Sequence, residues 1–444
     1  MSWRARLRSI TIDVDPLRRY RDFRLRTVAA SVSAFGAFFT MVAVPIQIKQ
    51  LTDSTVAVGL VGAAEFAPIV LVGLLGGAVA DRFDRRRVVF GSELAALACS
   101  LCLLVNSLLG RPQLWLIYLV AAAAVSADAM QRPSLDAMLP RYVAHADIPA
   151  ASMLNNQAWG LANIAGTVLG GVLASLNISL AYAVDVASFV VSLLVFSRLS
   201  PLPRAATDRV IGIRATLASV AEGIGYATGR KDLLGTYLID TIAMITAMPM
   251  ALFPFFAVVL NAPHEVGLLY AADSVGALLA GLVSGWVRRV HRHGRAIIIA
   301  ALCWGAAMGL AGLMPNLGLV LVLLACAGAA DMVSGTFRGV IWDQTIPDEL
   351  RGRLAGIELL SYSIGPTLGN ARAGFMAVRG VRFAISSGGL LCVLGVAAAS
   401  AALPGFRRYD SRTDEFAQAE RGRGFCHRGS PDPRRAPPDR LRTQ

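Results

Sequence analysis

The sequence predicts an all-α integral membrane protein, with twelve transmembrane helices arranged as two six-helix pseudo-repeat halves. Three observations carry the prediction. The composition is apolar and falls into twelve runs of spanning length, the loops between the runs alternate in charge, and the chain matches itself at an offset of roughly 208 positions. Of 444 residues, 55% are hydrophobic and 16% charged, and the mean hydropathy is +0.57. A soluble domain carries about 25% charged residues. The composition therefore excludes a disordered chain, a collagen-like fibre and a disulfide scaffold, and it argues strongly against a soluble two-domain enzyme.

The runs cover residues 27–48, 57–80, 88–108, 114–133, 150–175, 180–199, 233–260, 266–287, 296–313, 317–337, 353–378 and 383–403. A span needs ~20 mostly apolar residues. Inside hydrocarbon the backbone must satisfy its own polar groups, so each run is a helix, and interruptions such as Pro45, Pro68, Pro249, Pro254 and Pro366 are tolerated. The six cysteines give no disulfide framework, since five lie inside apolar runs. Cys99 and Cys102 read as small packing residues.

Charge sets the orientation. With the N-terminus in the cytoplasm, the cytoplasmic segments hold every basic residue except Lys49, Arg111, Arg379 and Arg382 on the other side and Arg372 within a span. The positive-inside rule then places both termini in the cytoplasm and explains the net charge of +13 without nucleic acid. The chain divides into a cytoplasmic segment 1–26, a first half 27–199, a cytoplasmic linker 200–232, a second half 233–403 and a tail 404–444. The linker contains an amphipathic segment from Leu217 to Leu233, and the tail is rich in Arg, Asp, Pro and Gly and reads as disordered. Of the 42 basic residues only Lys49 and Lys231 are lysines, which suggests a GC-rich bacterial gene and a plasma (inner) membrane location.

The internal match supports the division. Val58-Gly59-Leu60 aligns with Val266-Gly267-Leu268, Glu65 with Asp273, Gly73 with Gly281 and Gly77 with Gly285, while Asp136 and Pro140 align with Asp343 and Pro347. Six spans is an even number, so the two halves share one orientation and can rock about a central cavity.

Residues 77–87 read Gly-Ala-Val-Ala-Asp-Arg-Phe-Asp-Arg-Arg-Arg. This resembles the loop between the second and third spans of the major facilitator superfamily, with matches at Gly77, Asp81, Arg82, Arg85 and Arg86 and with Asp84 in place of the usual Gly. The resemblance runs from Asp22 to about residue 410. Leu51-Thr52, Leu139-Pro140-Arg141 and the stretch from Pro347 to Arg353 are similar to the enterobactin-exporter and drug:proton antiporter branch. It implies the major facilitator fold, a gating latch at the 77–87 loop, and proton-driven efflux of small amphipathic molecules, drug-like or siderophore-like. Gly166-Thr167-x-x-Gly170-Gly171 resembles the antiporter motif of the fifth span, with Thr where Pro is usual.

Ionisable residues inside spans cost ~2.5–3.5 kcal/mol each on insertion scales, so they face the bundle interior or pair. Glu65 and Asp273 occupy equivalent places in the two halves, about seven residues or roughly 10 Å from the outer ends of their spans. A carboxyl that holds a proton in one state and a cationic substrate group in the other is the simplest exchange device. Glu65 is the leading proton or substrate site, followed by Asp273 and Asp240, with Arg372 the basic residue within a span. Asp128 and Asp331 pair with Arg132 and Arg338 near the cytoplasmic ends. Asp185 lies near the outer end of its span, open to water, and Glu358 is also near water. The Phe and Met residues of spans one and seven, among them Phe35, Phe39, Met244 and Met248, offer a soft wall or simple packing. Asn155 is a candidate polar contact.

No phosphate-binding loop and no hydrolase or metalloprotease motif is present in the sequence, so neither a catalytic residue nor a metal ligand is assigned. The expected partners are a small-molecule substrate, protons and the lipid bilayer. Nucleic acid is not expected, and neither is a bound cofactor, the proton-motive force supplying the energy. The chain is expected to act as a monomer. The alternatives are an importer or facilitator of a metabolite and a non-transporting membrane sensor or partner protein.

Overall fold

The structure, a computed structural model, describes residues 14–82, 84–200, 225, 226, 229–346 and 363–412, the stretch 73–82 by its backbone only. Among these residues there is no strand, and eleven helices are long and apolar enough to cross a membrane. We number the spanning helices α1 (Arg21–Thr52), α2 (Thr55–Arg82), α3 (Arg85–Leu108), α4 (Leu114–Tyr142), α5 (Ile148–Leu176) and α6 (Ile178–Ser197). There follow α7 (Lys231–Ala247), α8 (Val266–Leu282), α9 (His293–Leu313), α10 (Leu317–Thr345), α11 (363–376) and α12 (Val381–Ala402). α11 is the described part of the run expected at 353–378. The chain is a multi-pass membrane protein.

The helices outrun the apolar stretches that announced them. α4 has 29 residues, about 43 Å at the helical rise, against a hydrocarbon core of ~30 Å. Its last turns, from Arg132 to Tyr142, carry Arg132, Asp136 and Arg141 among packed apolar residues and so fall outside the apolar run that hydropathy marks. α10 likewise runs on to Thr345. α8 departs the other way: it ends at Leu282 and gives way to a 3-10 turn over Ser284–Arg289, short of the expected residue 287.

α7 is broken. Its α-helical ladder stops at Ala247, a 3-10 turn covers Met250–Leu252, and a short helix Phe253–Val259 completes the crossing. Pro249 and Pro254 each lack an N–H, and the freed groups find partners on neighbouring helices. The Ala251 N–H donates to Asn370 Oδ1 at 3.0 Å, and the Tyr270 hydroxyl donates to the Met250 carbonyl at 2.9 Å.

α1 packs on α5 and α6, and α2 and α3 on α4; in the second group α9 packs on α10 and α12, α8 on α10 and α7 on α12. Glycines permit the closest approaches. Gly36 of α1 lies against Asp185 and Ser188 of α6, Gly170 of α5 against Phe39, and Gly276 and Gly328 join α8 to α10. Large apolar side chains such as Leu71, Leu108, Trp115 and Leu194 stay exposed, as lipid-facing residues do.

Two faces follow from the alternation of the chain. The starts of the odd-numbered spanning helices form a basic face, and the ends of these helices form a charge-poor face. On the basic face a short helix, Pro404–Arg407, follows α12. Phe406 is fully buried there, its ring set against Gly235 of α7 and its backbone against Gly294 of α9. The Ser411 N–H donates to the His291 carbonyl at 3.0 Å, and Arg412 contacts the His291 ring. The remainder of the tail and most of the linker lie outside the described residues.

Candidate functional site

Among the described residues, the close contacts between α1–α6 and α7–α12 lie toward the charge-poor face. α5 packs along α8, where Gly171 meets the Gly267 backbone, and a side chain at either position would overlap the other helix. α2 packs on α11, where a methyl group on Gly59 would stand 2.9 Å from Gly374 Cα, and Gly62 abuts the Thr367 carbonyl. Lys49 at the end of α1 lies 5.4 Å from the Phe255 ring centre, and a cavity of about 130 Å³ beside it is lined by Lys49, Gln50, Ser175 and His264. Gly171, noted for its motif, thus sits where the two groups of helices meet, while Gly170 faces Phe39 of α1.

The second group brings an arginine and two acids into contact, with a third acid beside them. Asp240 of α7 is ion-paired with Arg338 of α10, and both are buried. Arg338 Nη2 also lies 3.9 Å from Asp331, about two turns earlier on α10, whose side chain is 41% exposed. Asp273 of α8 lies within electrostatic reach of Asp331. The expected Asp331–Arg338 contact is present, but Asp240, read from the sequence as a lone candidate, is the closer partner of the same guanidinium. Arg132 pairs with Asp128 at 3.0 Å as expected.

Glu65 lies on the α2 stripe that carries Gly59 and Gly62, the side turned to α11. α2 begins at Thr55, so Glu65 is ten residues along it, about 15 Å from the charge-poor end rather than the 10 Å read from the apolar run. No hydrogen bond or ion pair joins Glu65 to Asp273 among the described residues, and Asp273 sits with the α10 cluster. Arg372 of α11 points between α7 and α12. Its Nη1 lies 3.2 Å from Met376 Sδ, while Nε and Nη2 have no hydrogen-bond partner among the described residues. A side chain at Gly388 would stand 2.7 Å from Nη2, so glycine there makes room for the guanidinium.

The 77–87 loop is only partly described. The side chains of Gly77, Asp81 and Arg82 lie outside the described residues. Arg85 Nη1 donates to the Ala137 carbonyl of α4 at 3.0 Å, and Arg86 Nη2 to the Ser197 carbonyl at the end of α6 at 2.8 Å. Both satisfy acceptors within the first six helices. Asp84, the departure from the motif, caps α3 by accepting from the Arg86 N–H at 2.9 Å. Glu358 lies outside the described residues.

Two features were not foreseen. Arg26, fully buried at the start of α1, donates to Asn155 Oδ1 at 2.5 Å and to the Leu135 carbonyl at 2.9 Å, joining α1, α4 and α5. Asp185, expected near water, is 1% exposed. It sits seven residues into α6, with Thr40 and Ser100 donating to its Oδ2 at 2.5 and 2.6 Å. The reason is the tight α1–α6 contact at Gly36, which closes that depth to solvent. Phe39, Phe253 and Phe255 are core residues, and Met244 and Met248 pack on Gly365 and Gly369 of α11.

A family model described as a transmembrane secretion effector, within the major facilitator superfamily, matches residues 13–421. The chain belongs to this family. It is a membrane transporter of the efflux branch of the superfamily. It is 29% identical over 358 residues to the multidrug efflux pump Tap of Mycolicibacterium fortuitum, covering 79% of this chain and 87% of the relative. It is also 29% identical over 399 residues to the enterobactin exporter EntS of Shigella boydii serotype 18, covering 87% and 92%. The fold matches a POT family transporter solved with 5-aminolevulinic acid (TM-score 0.68, 12% identity, 87% of this chain and 97% of that one). It also matches a bacterial homologue of the iron transporter ferroportin (TM-score 0.66, 13% identity, 87% and 98%).

Proposed function

We propose that this transporter exports small amphipathic molecules by proton-coupled antiport, each half moving as one body so that a shared cavity opens to the two faces in turn. The observation that carries the reading is the placement, among the described residues, of the inter-half contacts toward the charge-poor face. With the basic face cytoplasmic, and with it both termini, this arrangement is closed outward and receives substrate from the cell. The names of the two relatives, a multidrug pump and an enterobactin exporter, support an amphipathic drug-like or siderophore-like substrate.

Glu65 and the Asp240–Arg338–Asp331–Asp273 cluster supply the polar wall, and Arg372 is a reserve of positive charge for an anionic substrate group. Two carboxylates share one guanidinium and a third, Asp273, lies beside Asp331, so a proton or a substrate cation relieves their repulsion. Each proton entering across 100 mV supplies about 2.3 kcal/mol, enough for roughly a fifty-fold substrate gradient. All of these groups lie in one chain, so a monomer suffices, and the proton-motive force takes the place of a cofactor.

The test is uptake into inverted membrane vesicles over a panel of lipophilic dyes and siderophores. Export predicts accumulation inside the vesicles that an ionophore collapsing the proton gradient abolishes. Accumulation in right-side-out vesicles instead would make the protein an importer, and no change in distribution on deletion would leave a sensor.

A further inference from the structure

The interior of the first half contains a polar seam that the central cavity does not use. Three helices contribute matched stripes to it. α1 supplies Ser33, Gly36 and Thr40, and α6 supplies Asp185, Ser188 and Ser192, both at the i, i+3, i+7 spacing of one helix face. α3 adds Glu93 and Ser100, two turns apart. α1 and α6 run antiparallel, so Thr40 meets Asp185 and Ser33 faces the Glu93–Ser192 end. Gly36 lets the backbones close, for a side chain there would strike Ser188 and stand 2.7 Å from Asp185 Oδ1.

Each end of the seam is a carboxyl group with nothing cationic to hold it. Glu93 is 0% and Asp185 1% exposed. Gln131 of α4 donates to Glu93 Oε1 at 2.6 Å, with the Ser33 and Ser192 hydroxyls beside that carboxyl, and Thr40 and Ser100 donate to Asp185 Oδ2; Glu93 Oε2 and Asp185 Oδ1 are buried with no donor in full hydrogen-bond geometry. The titratable groups facing the pair from the surrounding helices are the two acids themselves, Tyr182 of α6 and Cys99 of α3, and no arginine or lysine reaches either acid among the described residues. An isolated carboxylate is too costly to bury in such a place. An oxygen that lacks a donor and is shut off from water is where a proton belongs.

We propose that the α1–α3–α6 seam is a proton-binding site, with an exchangeable proton held at Glu93 and Asp185 inside the first half. On release the carboxyl O–H bond breaks, the proton passes to water that enters when α1 and α6 separate, and the carboxylate keeps the electron pair. At Asp185 the new charge falls on the group to which Thr40 and Ser100 donate. Thr40 is itself half-buried and belongs to α1, so the exchange changes a bond that positions α1. From there the contacts are continuous: Phe39 of α1 lies on Gly170 of α5, and the next residue, Gly171, meets Gly267 of the second half. Protonation is thereby linked to the contact that closes the charge-poor face. The role in transport rests on the proton-driven reading above; the binding of the proton does not.

Infrared difference spectroscopy on the purified protein in lipid nanodiscs tests the site with protons and D2O as the only probes. The native protein should show the C=O stretch of a buried protonated carboxyl that shifts in D2O and disappears as the pH is raised. Asp185→Asn and Glu93→Gln, near-isosteric changes, should each remove part of that band. Thr40→Ala, which keeps both acids, should leave the band and move the pH at which it is lost. A band unaltered by both acid substitutions, or no pH-sensitive carboxyl band in the native protein, overturns the proposal. A band that behaves as described in a protein whose transport ignores the proton gradient upholds the site and overturns the antiport reading instead.

Discussion

Arg338 serves two carboxylates at once, and that makes it the most consequential side chain of the second half. Removing one partner of a buried ion pair leaves the other charge uncompensated, at a cost of about 3–5 kcal/mol. Arg338→Ala should therefore lower the thermal midpoint in detergent sharply, while Asp240→Asn combined with Arg338→Gln should recover much of the loss; scanning fluorimetry of these two variants and the native protein reads this directly. Glu65 is a different case, since no ion pair or hydrogen bond ties it down among the described residues. Glu65→Gln should fold normally and lose most of the proton-dependent part of transport, and retention of full pH-driven flux would remove Glu65 from the mechanism. The acids themselves were plain in the sequence, as charges inside apolar runs. Their partners were not. Pairing Asp240 with Arg338 requires the register of α7 against α10 across nearly a hundred residues, whereas Asp128 and Arg132 lie four apart on one helix and were legible at once. Asp185 was misread because depth was counted from a chain position while burial was decided by Gly36 on another helix.

The broken α7 and the glycine seams are where the helices depart from regular rods. Pro249 and Pro254 announced the break, but the acceptor that completes it, Asn370, sits on a helix more than a hundred residues away. Asn370→Ala leaves the Ala251 N–H without its partner. A loss of about 1–3 kcal/mol is expected, the desolvation penalty of a buried donor, measurable as a lower midpoint in a denaturant titration. At the α5–α8 seam a large side chain has no room to relax, because the opposing atoms are backbone. Gly171→Leu should therefore hold the two groups of helices apart at the charge-poor face. Spin labels near residues 50 and 264 would report a longer distance, and substrate entry from the basic face would fall. The abundance of glycine was visible in the sequence, and the antiporter-like motif marked α5, yet neither named α8 as the helix it touches.

Across the chain, hydropathy and charge alternation recovered the number and order of the helices, because lipid imposes both on any spanning segment. They could not locate helix ends that run past the apolar stretch, and so α4 and α10 came out short. The resemblance to the major facilitator superfamily, legible in the 77–87 loop, placed the fold. How the latch side chains Asp81 and Arg82 are engaged falls outside the described residues. A Gly171→Cys, Gly267→Cys pair tests the rocking motion itself: closing the disulfide should stop transport, reduction should restore it, and undiminished flux in the oxidised protein would end the alternating-access account. One last consequence concerns Phe406. Its ring fills the space left by Gly235 and its backbone the space left by Gly294, and residues 411 and 412 staple the segment behind it to His291. A reporter protein or purification handle is therefore best joined after Arg412. A stop codon just past Ala402 would instead uncork the α7–α9 crevice and yield a protein that inserts poorly or precipitates on extraction.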